Sequence, residues 1–172
     1  LCREDFNAIP FINADGYHSK TIAYSIWHIF RIEDIAAHTV ITEDEQVFFT
    51  GNYQVRINSP IITTGNELVK QQIADFSKQL NLEELYSYIF EVRESTEKIL
   101  ERFSYDELKW KIPDERKGYL KSLNVVNCDE KAIWLIDYWC SKDIRGLIQM
   151  PFSRHWIMHT EACLRIKNKM HS

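Results

Sequence analysis

The sequence has few of the residues that mark disulfide-rich, collagen-like or low-complexity proteins. Its 172 residues include only four cysteines, five glycines and four prolines. The cysteines stand far apart and form no Cys-x-x-Cys pair, so the sequence indicates neither a disulfide framework nor a structural zinc knuckle. We expect all four to be reduced thiols. They are Cys2, Cys128, Cys140 and Cys163.

Long apolar runs and an excess of basic charge are also missing. No window approaches the roughly 20 apolar residues that a membrane span needs, and no signal-peptide pattern opens the chain. The 21 Lys and Arg are scattered among 25 Asp and Glu, giving a formal net charge of −4. We therefore expect a cytoplasmic protein that binds neither nucleic acid nor membrane.

The hydrophobic content is high enough for one sizeable core. It amounts to 45% of the residues, and aromatic residues make up 13% of the chain. A chain of this length and composition is typical of a single domain, which we place over residues 1–172.

Apolar residues recur at helical spacing along most of the chain, and no strand-like alternation competes with them. The spacing and the capping residues predict five helices. The predicted helices cover about residues 20–41, 67–80, 82–103, 130–150 and 154 onward, with Ser19, Asn66, Asn81, Asp129 and Ser153 as N-terminal caps. Residues 42–65 form a long connection of a kind that is often functional or mobile. The sequence thus predicts an all-α bundle with long connections.

Two histidines lie four residues apart in the last predicted helix. His155 and His159 share a helical stripe with Ala162 and Ile166, so both imidazoles should point inward. Such a pair can ligate one transition ion, but it also fits two hydrogen-bonded core histidines. The three residues between the histidines include no glutamate, and Glu161 faces away from the stripe, so a zinc protease of the H-E-x-x-H type is not expected.

A candidate third ligand is His28, in the stretch "SIWHIFRIED". Its helical neighbours place it on a mostly apolar stripe. The alternative interpretation is a single hydrogen-bonded histidine of the core.

These motifs resemble the DinB/YfiT-like family. The resemblance rests on the helix around His28 and on "PFSRHWIMHTEA" in the last helix, and it spans most of the chain. It implies a DinB-like four-helix bundle in which His28, His155 and His159 hold a divalent ion. It also implies that the family's first helix precedes Leu1, in agreement with the loop-like opening "LCREDFNAIPF". The long connection at residues 42–65 departs from compact members of the family.

The resemblance also implies an activity. Three imidazoles leave an ion such as Zn²⁺ or Ni²⁺ with an open position. The ion could activate a low-molecular-weight thiol, as in an S-transferase, or water, as in a hydrolase, toward a small-molecule substrate. Thiol transfer ranks ahead of hydrolysis, and homodimers are common among such relatives. The catalytic group is then the metal-bound water or thiolate, because no further acid or base can be assigned from sequence.

Other side chains carry weaker predictions. Arg31 and Arg154 could bind an anionic substrate group, or they could be solvated or salt-bridged arginines. Cys163 fits a small buried hydrophobe better than a ligand. Five aromatic residues could wall a pocket near the metal, although core packing is the better explanation of their helical spacing. They are Trp27, Trp134, Tyr138, Trp139 and Trp156.

A non-catalytic function is the alternative. In that case the three histidines form a structural cluster, and the protein acts through dimerisation or partner binding.

Overall fold

The computed structural model describes residues 1–171, and its regular elements are helical. Within that range no β-strand forms, apart from one isolated bridge between Lys111 and Asp143, which confirms the all-α prediction. The α-helices are α1 (Arg3–Asn7), α2 (Ile22–Asp34), α3 (Val47–Thr50), α4 (Tyr53–Arg56), α5 (Gln71–Gln79), α6 (Leu82–Leu100), α7 (Arg116–Ser122), α8 (Glu130–Cys140), α9 (Ile144–Gln149) and α10 (His155–Met170). Two 3-10 helices (Gly16–Ser19 and Glu107–Lys109) and two π-helices (Ile35–Thr42 and Met150–Arg154) connect them.

Helix α2 is the centre of the fold. Every one of its residues except Ile26 is buried, because α1, α5, α6 and α10 all pack against it. A helix that is enclosed on all sides is expected to be apolar all round. Helix α2 nevertheless carries buried polar side chains, and each of these must find a partner inside the protein.

The N-terminus of α2 differs from the sequence prediction. Thr21, not Ser19, is the capping residue: its hydroxyl accepts a hydrogen bond from the Tyr24 N–H at 3.0 Å. Ser19 instead ends a 3-10 helix and donates its hydroxyl to the Gly16 carbonyl at 3.1 Å. Beyond Asp34 the predicted helix continues as the π-helix Ile35–Thr42.

The hydrophobic core lies on two sides of α2. On one side, aromatic residues of α2 pack with α3, α5 and α6. On the other, the end of α2 and the π-helix Ile35–Thr42 pack with α7 and α8. Helix α10 also packs against α2 and buries one face, which consists of His155, His159, Ala162 and Ile166.

Arg31 and Asp34 form a buried ion pair on α2 that holds the 42–65 connection in place. The Arg31 Nη1 atom lies 3.2 Å from Asp34 Oδ2, and both side chains are fully buried. Arg31 Nη2 donates to Gln46 Oε1 at 2.9 Å and to the Ile62 carbonyl at 2.6 Å. These bonds hold the connection, which contains the short helices α3 and α4, against α2.

Some predicted helix boundaries are right and others are wrong. The Asn81 and Asp129 caps are confirmed, since each side chain accepts backbone N–H hydrogen bonds from the helix it precedes. The helix predicted after Asn66 begins only at Gln71. The helix predicted over residues 130–150 is broken after Cys140, and Asp143 starts α9 by accepting the Gly146 N–H at 2.7 Å.

The start of the last helix also differs. Ser153 does not cap α10, because the π-helix Met150–Arg154 runs directly into it. The Ser153 hydroxyl donates back to the Gln149 carbonyl at 2.8 Å. Short helix α7 was not predicted. None of the helices within residues 1–171 combines the length and apolar character needed to cross a bilayer.

Candidate metal centre

The packing of α10 on α2 brings the three predicted histidines together. One ring nitrogen from each of His28, His155 and His159 lies within 4.8 Å of the other two. The ring centroid of His28 is 5.0 Å from that of either partner, and the two α10 rings are 4.6 Å apart. All three side chains are buried.

The regular geometry of α10 explains how two of these rings share one point. His155 and His159 are one helical turn apart, so both project from the same face. Ala162 and Ile166 continue that face and are completely buried, as the sequence predicts. The small Ala162 side chain keeps the α10 backbone close to α2.

The orientation of His28 is fixed by the 42–65 connection. Its Nδ1 atom lies 2.5 Å from the Thr64 carbonyl oxygen. A carbonyl can only accept, so Nδ1 carries the proton and Nε2 keeps its lone pair. Tyr24 stacks on the ring at 5.3 Å between centroids. A histidine held in this way through its second nitrogen is the usual arrangement for a metal ligand.

The three imidazoles are neutral at physiological pH. Burial, with the neighbouring His155, holds the pKa of His28 well below its ordinary value. Burial lowers the pKa of His155 to about 4. Burial, the other two histidines and Lys20 lower the pKa of His159 as well. Neutral imidazole is the form that binds a metal ion, so no proton has to be removed first.

The hydrogen-bonding state of the α10 histidines favours metal ligands over structural core histidines. Nδ1 of His155 and both ring nitrogens of His159 are buried and have no hydrogen-bond partner. Leaving a buried polar atom unpaired costs about 1–3 kcal/mol. Hydrogen-bonded core histidines would not leave three such atoms unpaired, whereas a metal ion would satisfy one nitrogen of each ring.

The donor set fits a borderline transition ion. Three neutral nitrogen donors without a carboxylate suit Zn²⁺ or Ni²⁺ better than Mg²⁺ or Ca²⁺. Three protein ligands also leave room for a fourth. Cys163 is not part of this group. Burial raises the pKa of its thiol to about 11, so Cys163 is a neutral, partly buried thiol.

An aromatic cavity of about 220 Å³ opens beside His28 and His155. Its far wall consists of Trp134, Tyr138 and Trp139 of α8. Two of the five aromatic residues considered above lie elsewhere, since Trp27 is enclosed in the core and Trp156 packs on Phe30. The cavity is large enough for one ring with a few substituent atoms, because a cavity of about 150 Å³ suffices for benzene.

A second, more polar cavity of about 340 Å³ also borders the histidines. Lys20 and Ser19 line it together with His28 and His159. Tyr17 lines both cavities, and its ring meets that of His159 in a T-shaped contact at 4.7 Å. The histidine cluster is therefore bordered by two chemically different cavities.

The two arginines predicted to bind substrate line neither cavity. Arg31 is fully buried, and its guanidinium is engaged by Asp34, Gln46 and Ile62. Arg31 has a structural role, because a ligand could reach its guanidinium only by displacing these partners. Arg154 is exposed on the π-helix that precedes α10.

Several residues of the site escape sequence reasoning. Thr64 acts through its backbone carbonyl, which no side-chain motif reveals. Tyr17 belongs to a segment predicted as a loop. Lys20 was predicted to start a helix, and Asn66 to cap one. The signal that the sequence offered is the glycine after Thr64, since glycine is favoured where φ is positive or where the backbone approaches another group closely. In the structure Gly65 has a positive φ of 79°, and a Cβ there would lie 2.6 Å from the Trp27 ring.

A second polar cluster, formed by Ser95, His38 and Asp44, lies apart from the metal centre. Nε2 of His38 is 2.9 Å from the Ser95 hydroxyl, and Nδ1 is 2.6 Å from Asp44 Oδ1. Ser95 lies inside α6, so the neighbouring backbone N–H groups are used by the helix and cannot stabilise an oxyanion. Glu91 and Glu94 line the adjoining cavity and would oppose negative charge. We interpret the cluster as a set of hydrogen bonds that hold the π-helix Ile35–Thr42 against α6.

Comparison of the chain with known proteins identifies no family. No protein-family model matches the chain, and no curated protein matches it. The resemblance to the DinB/YfiT-like family therefore rests on the motifs alone and stays a prediction.

Proposed function

We propose that this protein is a metal-dependent enzyme of the DinB/YfiT-like type that acts on a small molecule. The observation that supports this most is the cluster of three buried, neutral imidazoles, one of them fixed by Thr64, beside an aromatic cavity. His28, His155 and His159 would hold a divalent ion, with Zn²⁺ or Ni²⁺ the best fits to the donor set. The bound ion would supply Lewis-acid activation of a thiol or of water.

The protein's own residues would bind and enclose the substrate. Trp134, Tyr138 and Trp139 would contact its apolar part and exclude water from it. Tyr17 lines the cavity and contacts the His159 ring, and it would limit access to the site. Thr64 would keep the His28 proton on Nδ1, so that Nε2 stays available to the ion.

Thiol transfer is the reaction that we place first, with hydrolysis second. The order follows the resemblance, because relatives of this type include transferases and isomerases that use low-molecular-weight thiols. In thiol transfer the sulfur–carbon bond forms, the leaving group departs with its electron pair, and the thiol proton passes to solvent. A homodimer and a cytoplasmic location complete the proposal.

The proposal is tested by comparing two reactions on metal-loaded protein. L-cysteine with 1-chloro-2,4-dinitrobenzene reports thiol transfer, and p-nitrophenyl acetate without thiol reports hydrolysis. We expect the first reaction to be accelerated, and the acceleration to be lost both after metal removal and in the His155→Ala variant. An exposed-histidine variant, His171→Ala, serves as the matched control.

The other outcomes of this experiment distinguish between the remaining functions. Metal-dependent hydrolysis alone would assign the protein to the hydrolase class. If neither reaction depends on metal or on His155, the alternative function is favoured, in which the histidine cluster is structural and the protein acts through dimerisation or partner binding.

A further inference from the structure

Lys20 is a half-buried cation without an acidic partner. It follows the 3-10 helix Gly16–Ser19 and lines the polar cavity. Its Nζ atom lies 5.5 Å from the centroid of the Tyr24 ring, and no salt bridge or side-chain hydrogen bond joins it to any of residues 1–171. Burial also lowers the pKa of its ammonium group. A lysine that gives up part of its hydration without gaining a counter-charge is unfavourable by itself.

Lys20 lies beside the histidine cluster. It lines the polar cavity together with His28 and His159, and Tyr24, over which its ammonium lies, stacks on His28. A divalent ion on the three neutral histidines would bring the charge of this region, with Lys20, to about +3 by simple addition. Positive charges gathered in one region favour an anion beside them.

The walls of the two cavities do not supply that anion. No acidic residue lines either cavity, and all lining residues belong to the described part of the chain. Glu67 is the carboxylate that acts on Tyr24, but it lines neither cavity and accepts a hydrogen bond from the Thr63 hydroxyl. A bound anionic ligand would supply the compensating charge.

A second, independent observation points to a ligand at the same place. The side chain of Asn66 borders both cavities, and its Oδ1 atom is buried without a hydrogen-bond partner. A carboxamide can donate as well as accept, so Asn66 is equipped to orient a polar group beside the histidines. Polar atoms that lack partners in the protein are typical of groups reserved for a bound molecule.

We propose that Lys20 binds the carboxylate of the substrate, and that the substrate is a small carboxylic acid with an apolar ring. The ring occupies the cavity walled by Trp134, Tyr138 and Trp139, and the carboxylate lies in the polar cavity. The reacting atoms then lie between them, at the histidines. Lys20 takes the anion-binding role that the sequence suggested for Arg31 and Arg154. The inference rests on the proposed function, because the charge argument requires the bound ion.

The test uses zinc-loaded protein and two probes of nearly equal shape, 3-phenylpropanoate and 3-phenylpropanamide. Their dissociation constants are measured by titration calorimetry for the wild type and for Lys20→Gln, Lys20→Arg and Lys121→Gln. Lys121 is an exposed lysine of α7 and is the matched control. Zinc per chain is measured on each protein, which separates a loss of metal from a loss of the anion site.

We expect the wild type to prefer the carboxylate, and Lys20→Gln to reduce that preference about ten-fold, as is usual for a hydrogen bond to a charged group. Amide binding and zinc content should stay unchanged. Lys20→Arg should retain most of the preference, and Lys121→Gln all of it.

Three results would overturn the inference. An unchanged preference in Lys20→Gln would mean that the zinc ion alone attracts the carboxylate, and the proposed function would stand without Lys20. Failure of the zinc-loaded wild type to bind either probe would reject this substrate class. A wild type that takes up no zinc would reject the proposed function together with the inference.

Discussion

His28 Nδ1 and the carbonyl oxygen of Thr64 lie 2.5 Å apart. This contact joins a candidate ligand on the most buried helix to the end of the long connection that precedes α5. Gly65 makes the approach feasible, since its positive φ of 79° and its missing Cβ let the chain pass against Trp27. The connection therefore has a defined role in the site, because it sets the tautomer and the ring orientation of His28.

Gly65→Ala is expected to damage both the fold and the metal site. A Cβ at this position would lie 2.6 Å from the Trp27 ring, and the positive φ disfavours any other residue. We expect a loss of about 2 kcal/mol or more in the free energy of unfolding and a loss of about 10–100-fold in zinc affinity. Urea unfolding and competition with a zinc chelator measure the two effects.

Gly118→Ala is the matched control for that variant. Gly118 lies in α7, and a Cβ there would meet no atom within 4 Å. Since alanine is the better helix former, this variant should be stabilised by up to about 1 kcal/mol. Equal zinc affinities in the two variants would contradict the role given to Thr64.

Arg31→Ala should destabilise the fold. The variant would leave the Asp34 carboxylate buried without its counter-charge, which typically costs about 3–5 kcal/mol. Arg154→Ala, at an exposed position, should change the free energy of unfolding by less than about 0.5 kcal/mol. Thermal and urea unfolding measure the free energy of unfolding of both variants. An Arg31→Ala protein as stable as the wild type would be evidence against a structural role for Arg31.

The metal-free protein should lose stability as the pH falls. Burial lowers the pKa of His155 from 6.5 to about 4 in the folded state, so between those values the unfolded chain binds the proton and the folded chain does not. Stability is therefore complete above about pH 6.5 and is lost toward pH 4, by about 2–4 kcal/mol from this residue. His155→Gln should show a shallower pH dependence of urea unfolding. An identical slope in both proteins would contradict the burial of His155.

Glu33 should show the opposite pH dependence. Burial raises the pKa of its carboxyl to about 7, against the influence of Arg93, Thr96 and Trp156. Its Oε1 atom accepts from Arg93 Nη1 at 3.1 Å, whereas Oε2 lacks a hydrogen bond of normal geometry. The folded state then binds the proton more tightly, so this contribution to stability is complete below about pH 4.5 and is lost as the pH rises through 7.

The comparison of Glu33→Gln with the wild type isolates that effect. Relative to the wild type, the variant should gain about 2–3 kcal/mol of stability between pH 4.5 and pH 7. Glu97→Gln removes an exposed carboxylate that shares Arg93 and should change stability by less than about 1 kcal/mol at any pH. Parallel pH profiles for Glu33→Gln and the wild type would show that Glu33 is not buried in solution.

The sequence predicted those parts of the site that depend on regular helical geometry. His155 and His159 could be placed on one inward face because they are a helical turn apart, and Asn81 and Asp129 could be identified as caps from local chemistry. The pairing of His28 with that face needed the resemblance, since nothing local specifies which helices touch. Thr64 was out of reach, because its contribution is a backbone carbonyl.

Other errors arose where tertiary packing overrides local pattern. The predicted helix over residues 130–150 has suitable periodicity, but Asp143 can start a new helix as soon as α8 ends. Arg31 looked like a surface arginine because arginine is rarely buried. Its burial depends on Asp34 and on Gln46 of the connection, a combination that only the folded chain brings together.

The metal site is tested most directly by the metal content of protein purified without chelator. Elemental analysis of the wild type is compared with a His28→Ala, His155→Ala double variant and with His171→Ala, which removes an exposed histidine. We expect about one divalent transition ion per chain in the wild type and in His171→Ala, and none in the double variant. A wild type that holds no ion even after Zn²⁺ or Ni²⁺ is supplied, or a double variant that keeps one, would contradict the three-histidine site.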